Sequence, residues 1–393
     1  MKRDISTFQK TPQETRSGIV EDHRFIVVGM EHYNPLGVIR SLGQNGIRPD
    51  YIAIKYKSTV ASCSKYVATA HFVDSVEEAY EVLVSKYGQE KELKPFVITT
   101  DDDVESFLDL HYDDLKDRFI FFNSGAPGIT TRYMDKKAIL DLAEKHGFKV
   151  LKTIVTERGT VPKNLEYPII TKSISPNVGG WKSDVHICGS EDELRKAFEH
   201  ILSPHVLIQK YIDKENELCI DGFSVDQGRS LFTPMYTTYN YNIAGYYSPY
   251  MTVHEFDLTD IGKGIGGMIS EIGFEGIFEA EFLIDKDGSV YFSEINFRNS
   301  TWSYVATKLG MPIPLLWAES MMSKTIPERY YTAVPDGFTA MVEPIDHKKR
   351  VLEGTTDLAD WLSDYRNTDC LFYQDDQDPE PFREMVRNWE RLS

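Results

Sequence analysis

Residues 276–298 constrain the chain more than any other stretch. Two alternating apolar runs, GIFEAEFLID and VYFSEIN, are joined through KDG, and Asp287–Gly288 is a strong hairpin signal. In a strand, residues two apart share a face. Glu294, Asn296 and Arg298 of YFSEINFR therefore point into one space, and Glu281 stands on the other arm of the ribbon. Adjacent strands lie about 4.8 Å apart, so same-face carboxylates there can share hard cations. Unpaired, they repel and one is driven neutral. Two readings stand, a pair of Mg²⁺ ions bridged by oxygen ligands or a proton-sharing acid pair. Asn296 favours metal, because a carboxamide oxygen is a hard ligand and adds nothing to a proton dyad. The plain alternative is a solvated sheet face.

Mg²⁺ bound by few protein oxygens normally holds phosphates too, so groups for phosphate should lie elsewhere in the chain. Lys172 ends the apolar run YPIITK and is followed by Asn177–Val178–Gly179–Gly180, whose glycine N–H groups can close over a phosphate. Lys136 opens a helix after YMD. Either lysine alone reads as a surface residue with a buried stem. Together with the glycine loop and the carboxylate ribbon they point to nucleotide chemistry.

The rest of the chain supplies the frame. At 393 residues it is long enough for two or three compact units. A net charge of −18 argues against a nucleic-acid or anionic-membrane binder. The four cysteines, Cys63, Cys188, Cys219 and Cys370, show no metal spacing, and no secretory or membrane-spanning run is present, so a cytoplasmic location is expected. Residues 1–23 read as a flexible leader. RFIVVGM, NPLGVIRSLGQNG and DYIAIKY give strand, helix and strand, with HFVDS, a helix over 76–87, PFVITT and a closing strand RFIFFNS (118–124) completing a small parallel α/β unit over 24–125. A helix in 132–155 feeds a strand, and further strands and helices follow to about 325. After that comes a tail with one strand, FTAMVEPI, and a short helix near 357–365.

The order of DK (135–136), YPIITK with its glycine pair, VLIQKYI and FEAEF…YFSEINFR resembles the ATP-grasp superfamily over residues 24–325. GVIRSLGQNGI, SKYVATAHFV and QDPEPF are similar to the carboxylate–amine ligases within it, of which D-aspartate ligases are one kind. The resemblance implies an α/β, more closely α+β ATP-grasp, fold. A Rossmann-like pre-ATP-grasp domain (24–125) would be followed by an ATP-grasp domain (126–329), with a lid subdomain at 155–212 and a metal-binding subdomain at 213–329, and by a C-terminal extension (330–393). It also implies that Lys136 and Lys172 touch ATP phosphates and that Gly179 and Gly180 close over them. Gln209, Lys210, Tyr211 and Ile212 would face adenine, although many relatives place a glutamate where Gln209 stands. Glu217, with Glu215 as rival, would hold the ribose. Glu281, Glu294 and Asn296 would hold Mg²⁺, two ions being expected, and Arg298 would steady the phosphoryl group or acyl phosphate. The activity implied is ATP-dependent joining of a small carboxylate, such as aspartate, to an amine. The alternatives are an acyl-phosphate-forming enzyme like carbamoyl-phosphate synthase and a nucleotide-binding regulator without turnover. Small-molecule substrates are the expected partners, and a homodimer stays open.

Three other features compete. GKGIGG (262–267) has a dinucleotide-fingerprint pattern but lacks the preceding buried strand. The tyrosine-rich PMYTTYNYNIAGYYSPYMTVHEF (234–256) reads either as a hairpin with its turn near Ala244–Gly245 or as a wall of the acceptor pocket through Tyr246 and Tyr247. TTDDDVES (99–106) follows a strand and reads either as carboxylates offered to a ligand at the crevice or, as the main reading, as Asp102 or Asp103 capping the next helix.

Overall fold

The computed structural model describes residues 18, 20–55, 58–90, 92–174, 181–243 and 247–389. RFIVVGM forms β1 (Phe25–Met30), buried except at Met30. It pairs in parallel with β2 (Asp50–Ile54), and β3 (Ala70–Val73) and β4 (Phe96–Thr99) complete a parallel sheet of order β3-β2-β1-β4. Helices Tyr33–Gly43, Val76–Val82 and Asp102–Leu110 cover it. Burial on both faces is why its strands read as unbroken apolar runs. Residues 118–124 do not form the expected closing strand. Ile120 bridges Phe96 and Asn123 bridges Glu275. The run divides between two cores, Phe119 and Phe121 packing in one and Phe122 in the other, so it leaves the first sheet to reach a later one.

The second sheet is antiparallel, with β5 (Thr153–Glu157), β6 (Ile169–Ser173), β7 (His186–Cys188) and β8 (His205–Lys210) in the order β5-β8-β6-β7. The helix Glu191–Phe198 packs Leu194, Ala197 and Phe198 against Ile169, Val206 and Ile208. Alternation then puts Lys172 and Gln209 on the other face.

The third sheet has seven strands, β9 (Asn216–Val225), β10 (Ser230–Tyr239), β11 (Tyr250–Glu255), β12 (Gly276–Ile284), β13 (Val290–Asn296), β14 (Phe338–Met341) and β15 (Cys370–Leu371). Their order is β13-β12-β9-β10-β11-β14-β15. The FTAMVEPI run is therefore strand only as far as Met341, and Glu343–His347 is helical. GKGIGG lies inside the helix Thr259–Ile272. A Cβ at Gly264 would come within 2.4 Å of the Phe148 ring and one at Gly267 within 2.5 Å of the His146 ring. These glycines let a helix approach its neighbour.

The stretch after 330 clasps the first unit. Arg40, with no exposed surface, donates to Asp378 Oδ2 at 3.0 Å and to the carbonyls of Phe372, Tyr373 and Asp378. Asp378 also accepts from Ser64 Oγ and the Lys65 N–H. At the other end, residues 1–17 lie outside the described ones, while Val20 is already buried within the stretch read as a leader. All four cysteines are free, and among the described residues no helix is long and apolar enough to cross a membrane.

Asp378→Asn removes the carboxylate bonded to the buried Arg40 and leaves only the more distant Asp375 charge, which should destabilise the protein by about 3 kcal/mol. Urea unfolding followed by tryptophan fluorescence checks this, and an unchanged midpoint would show that the clasp contributes little.

Candidate active site

The ribbon β12–β13 places Glu281 directly opposite Glu294 and Glu279 directly opposite Asn296. Register is reached by two compensating irregularities. The connection is longer than a two-residue hairpin, since the Asp285 N–H bonds to Ser289 O and Gly288 takes φ +80°, as three-residue loops do. A bulge between Glu281 and Phe282 then restores the pairing of the two glutamates.

β9 continues the same rows. Cys219 lies opposite Glu281 and Asp221 opposite Glu279. Glu279 and Asp221 were missed by the sequence reading, although the E-x-E spacing in FEAEF already puts Glu279 on the Glu281 face. Asp221 is buried and accepts from Ser300 Oγ on Oδ1; its Oδ2 has no partner among the described residues. Asn296 Nδ2 donates to Glu279 Oε2 at 3.1 Å and to Glu281 Oε1 at 3.0 Å. The nitrogen of Asn296 therefore faces the carboxylates, and use of its oxygen on a cation calls for the amide to turn over.

Charges respond accordingly. Burial and then the Glu294 and Glu279 carboxylates push Glu281 well above the usual carboxylate range. Glu294 is held down at about 2, first by the charge of Lys136, which is ion-paired to it. Burial opposes the Lys136 charge, yet Glu294 outweighs it and the lysine pKa rises. Lys172 moves the other way, lowered by burial and by Lys136.

The second sheet brings its lysine to this face. The Lys136 N–H donates to Ile174 O at 2.8 Å, which joins the start of the helix Lys136–Lys145 to the end of β6. Asp135 caps that helix by accepting from the N–H groups of Lys137 and Ala138. Lys172 Nζ lies 3.3 Å from Gln209 Oε1, and Gln209 Nε2 donates to Thr153 Oγ1 at 3.0 Å. In the expected adenine segment, the Lys210 N–H goes to Lys152 O and the Tyr211 N–H to Pro168 O. Ile212 is the residue whose N–H has no partner among the described residues. Glu217 accepts from Lys214 and from the Tyr239 hydroxyl, whereas Glu215 is exposed. Gly179, Gly180 and Tyr246, with the turn at Ala244–Gly245, lie outside the described residues. Tyr247 meets Tyr33 of the first unit, hydroxyl to hydroxyl at 2.8 Å.

Arg298 is gripped by Asp102, Nε to Oδ1 at 3.1 Å and Nη2 to Oδ2 at 3.3 Å. This corrects the expected cap. Asp101, not Asp102 or Asp103, occupies the cap position of Asp102–Leu110, and it makes no capping bond. Its carboxylate instead accepts from the Met30 N–H and Thr100 Oγ1.

Among the described residues, no three His, Cys, Asp or Glu side chains form a group able to hold a metal ion by themselves. Glu281, Glu294 and Asn296 offer fewer oxygens than the six that Mg²⁺ takes, so they fit an ion whose remaining ligands are phosphate oxygens and water. No protein-family model matches the sequence, and no curated protein matches it either. Solved structures do. N5-carboxyaminoimidazole synthetase from Staphylococcus aureus aligns at TM-score 0.61 and 13% identity, over 84% of this chain and 86% of that one. Biotin carboxylase from Campylobacter jejuni aligns at 0.58 and 15%, over 82% and 74%. An L-amino acid ligase from Bacillus licheniformis aligns at 0.56 and 13%, over 77% and 74%. The synthetase has also been crystallised with ADP, and a related biotin carboxylase domain with MgADP and bicarbonate. The chain therefore shares the ATP-grasp fold of these structures.

Proposed function

We propose that the protein is an ATP-dependent ligase that converts a small carboxylate to an acyl phosphate and passes the acyl group to an amine. One observation carries this reading, the direct register of Glu281 with Glu294 beside Lys136 and Lys172, with Arg298 two residues past the end of that strand. The similarity to an L-amino acid ligase favours an amino acid as the acid. The similarity to a carboxylase domain crystallised with bicarbonate keeps that smaller acid as the second reading.

A carboxylate acylates poorly because oxide is a poor leaving group. In the first step a carboxylate oxygen attacks the γ-phosphorus of ATP, the bond to the β–γ bridging oxygen breaks, and ADP departs. Catalysis of such transfers is mostly positioning and charge neutralisation. Lys136 and Lys172 supply positive charge for phosphate oxygens, and the Arg298 fork suits a pair of oxygens on one atom. Glu281, Glu294 and Asn296 would hold Mg²⁺, which lowers the charge on the transferring group. Gln209, Lys210, Tyr211 and Ile212 would border adenine and Glu217 would hold the ribose. In the second step the amine nitrogen attacks the acyl carbon, phosphate leaves with its bonding pair, and the nitrogen gives up a proton. Water must be excluded meanwhile, or the acyl phosphate hydrolyses. The segment containing Gly179 and Gly180 is our candidate lid.

ADP release measured with glycine, D- and L-alanine, D- and L-aspartate and bicarbonate, each with ammonium or an amino acid as acceptor, tests the reading. Turnover that needs both an acid and an amine is expected. ADP release with bicarbonate alone would select the second reading, and none with any pairing would leave a nucleotide binder. MgATP should raise the melting temperature of the wild type, because a ligand bound only by the folded state stabilises it. Glu281→Gln should lose most of that rise while melting normally without nucleotide, and Glu294→Gln, which also removes the Lys136 counter-charge, should lose most of the rise measured against its own nucleotide-free melting temperature. Full retention by both would remove them from the metal site. Tyr247→Ala should raise the KM of the acid or the amine and leave that of ATP unchanged.

A further inference from the structure

Arg298 is the last charged member of the ribbon row, and its segment does not stand alone. The Asn299 N–H donates to Thr99 O at 3.0 Å, at the carboxyl end of β4. Asn34 Nδ2 donates to Asn299 O at 2.9 Å and Asn299 Nδ2 returns a bond to Asn34 Oδ1 at 2.6 Å. Ser303 Oγ holds Asn299 Oδ1 at 2.7 Å. Residues 298–300 are thus stitched to the edge of the first parallel sheet, and Asp102 adds the only carboxylate in contact with the guanidinium among the described residues.

The atoms that Asp102 takes matter. A guanidinium has five N–H groups in a rigid plane. Nε–H and one Nη2–H form its side edge, and Asp102 occupies both. One Nη1–H reaches Asn299 O at 3.4 Å. What remains is the end edge, with one N–H from Nη1 and one from Nη2, parallel and spaced for two oxygens of a carboxylate or phosphoryl group. Without a side-edge anchor the long side chain would sample several rotamers, and fixing it on binding would oppose substrate affinity. Asp101 is engaged elsewhere, its Oδ2 accepting from the Met30 N–H and Thr100 Oγ1 and its Oδ1 lying 3.7 Å from His32 Nε2.

We propose that Asp102, contributed by the first unit, is a positioning residue for Arg298. It engages the side edge of the guanidinium so that the end edge is presented to the acid substrate and its acyl phosphate. The inference rests on the ligase reading for its kinetic test and is independent of it for its structural one.

Asp102→Asn and Asp102→Ala are compared with the wild type using whichever acid of the panel releases ADP fastest. The kcat/KM for that acid should fall about 10- to 100-fold, the usual scale for misplacing a group near the chemistry, with the KM for MgATP unchanged. Asp102→Glu, which keeps the charge, should recover most of the loss. Parallel changes in both KM values, or unaltered acid kinetics, would overturn the proposal. The second readout needs no turnover. In full-length protein labelled with ¹⁵N-arginine and loaded with MgADP, the Arg298 Nε–H, assigned with Arg298→Lys, should be protected from solvent exchange in the wild type and exchange rapidly in Asp102→Ala. Equal protection in both would overturn it. Should the wild type use no acid of the panel, the ligase reading fails while the exchange experiment still decides the positioning role.

Discussion

Two carboxylates set opposite each other on neighbouring strands repel, and much of the surrounding structure answers that repulsion. Lys136 sits on Glu294 and keeps it ionised, while Glu281 is pushed towards its protonated form. One register step inward, Glu279 and Asp221 repeat the arrangement, with Asn296 and Ser300 as hydrogen-bond donors. A sheet face this acidic is poorly matched to its own interior and well matched to cations brought by a ligand. Lys172 adds the opposite bias. Burial and the Lys136 charge make its ammonium less stable, and an anionic phosphate would relieve that.

These groups come from two sheets and the helix Lys136–Lys145, and the segment after β13 is held by the first sheet, so their meeting depends on how the sheets are joined. The Lys136 N–H ties the start of its helix to β6, and the Arg298–Ser300 segment is tied to β4 and to the helix Tyr33–Gly43. The tail closes the arrangement by burying Arg40 of that helix among the carbonyls and carboxylate of 372–378. A buried arginine that satisfies four acceptors contributes less through net energy than through uniqueness, because few other packings would satisfy it. The tail was almost silent in sequence, since a role built on partners hundreds of residues away leaves no local pattern.

The ribbon was the most legible feature, because period-two alternation and a turn signal act over a few residues. Its face assignment held even though the loop is longer than a two-residue turn, since a bulge in β13 took up the difference. Glu279 was open to the same alternation argument and was passed over. The role of Asp102 was not legible. A carboxylate at a helix start is ordinarily a cap, and only the approach of β13 to the end of β4 shows that it faces Arg298. The closing strand expected at 118–124 failed for a related reason, since its apolar side chains serve two cores and strand propensity could not reveal the division.

By itself the sequence determined most local periods: which runs become strands or helices, 118–124 and the end of FTAMVEPI excepted, and which polar residues share a face of one ribbon. Those follow from backbone geometry that repeats every two or 3.6 residues. The tertiary structure alone decided which of those faces meet. It set Lys136 on Glu294, left Glu217 rather than Glu215 beside Tyr239, and brought Asp102 to Arg298. Contacts between distant segments are chosen by the packing of whole sheets, and no local pattern encodes them.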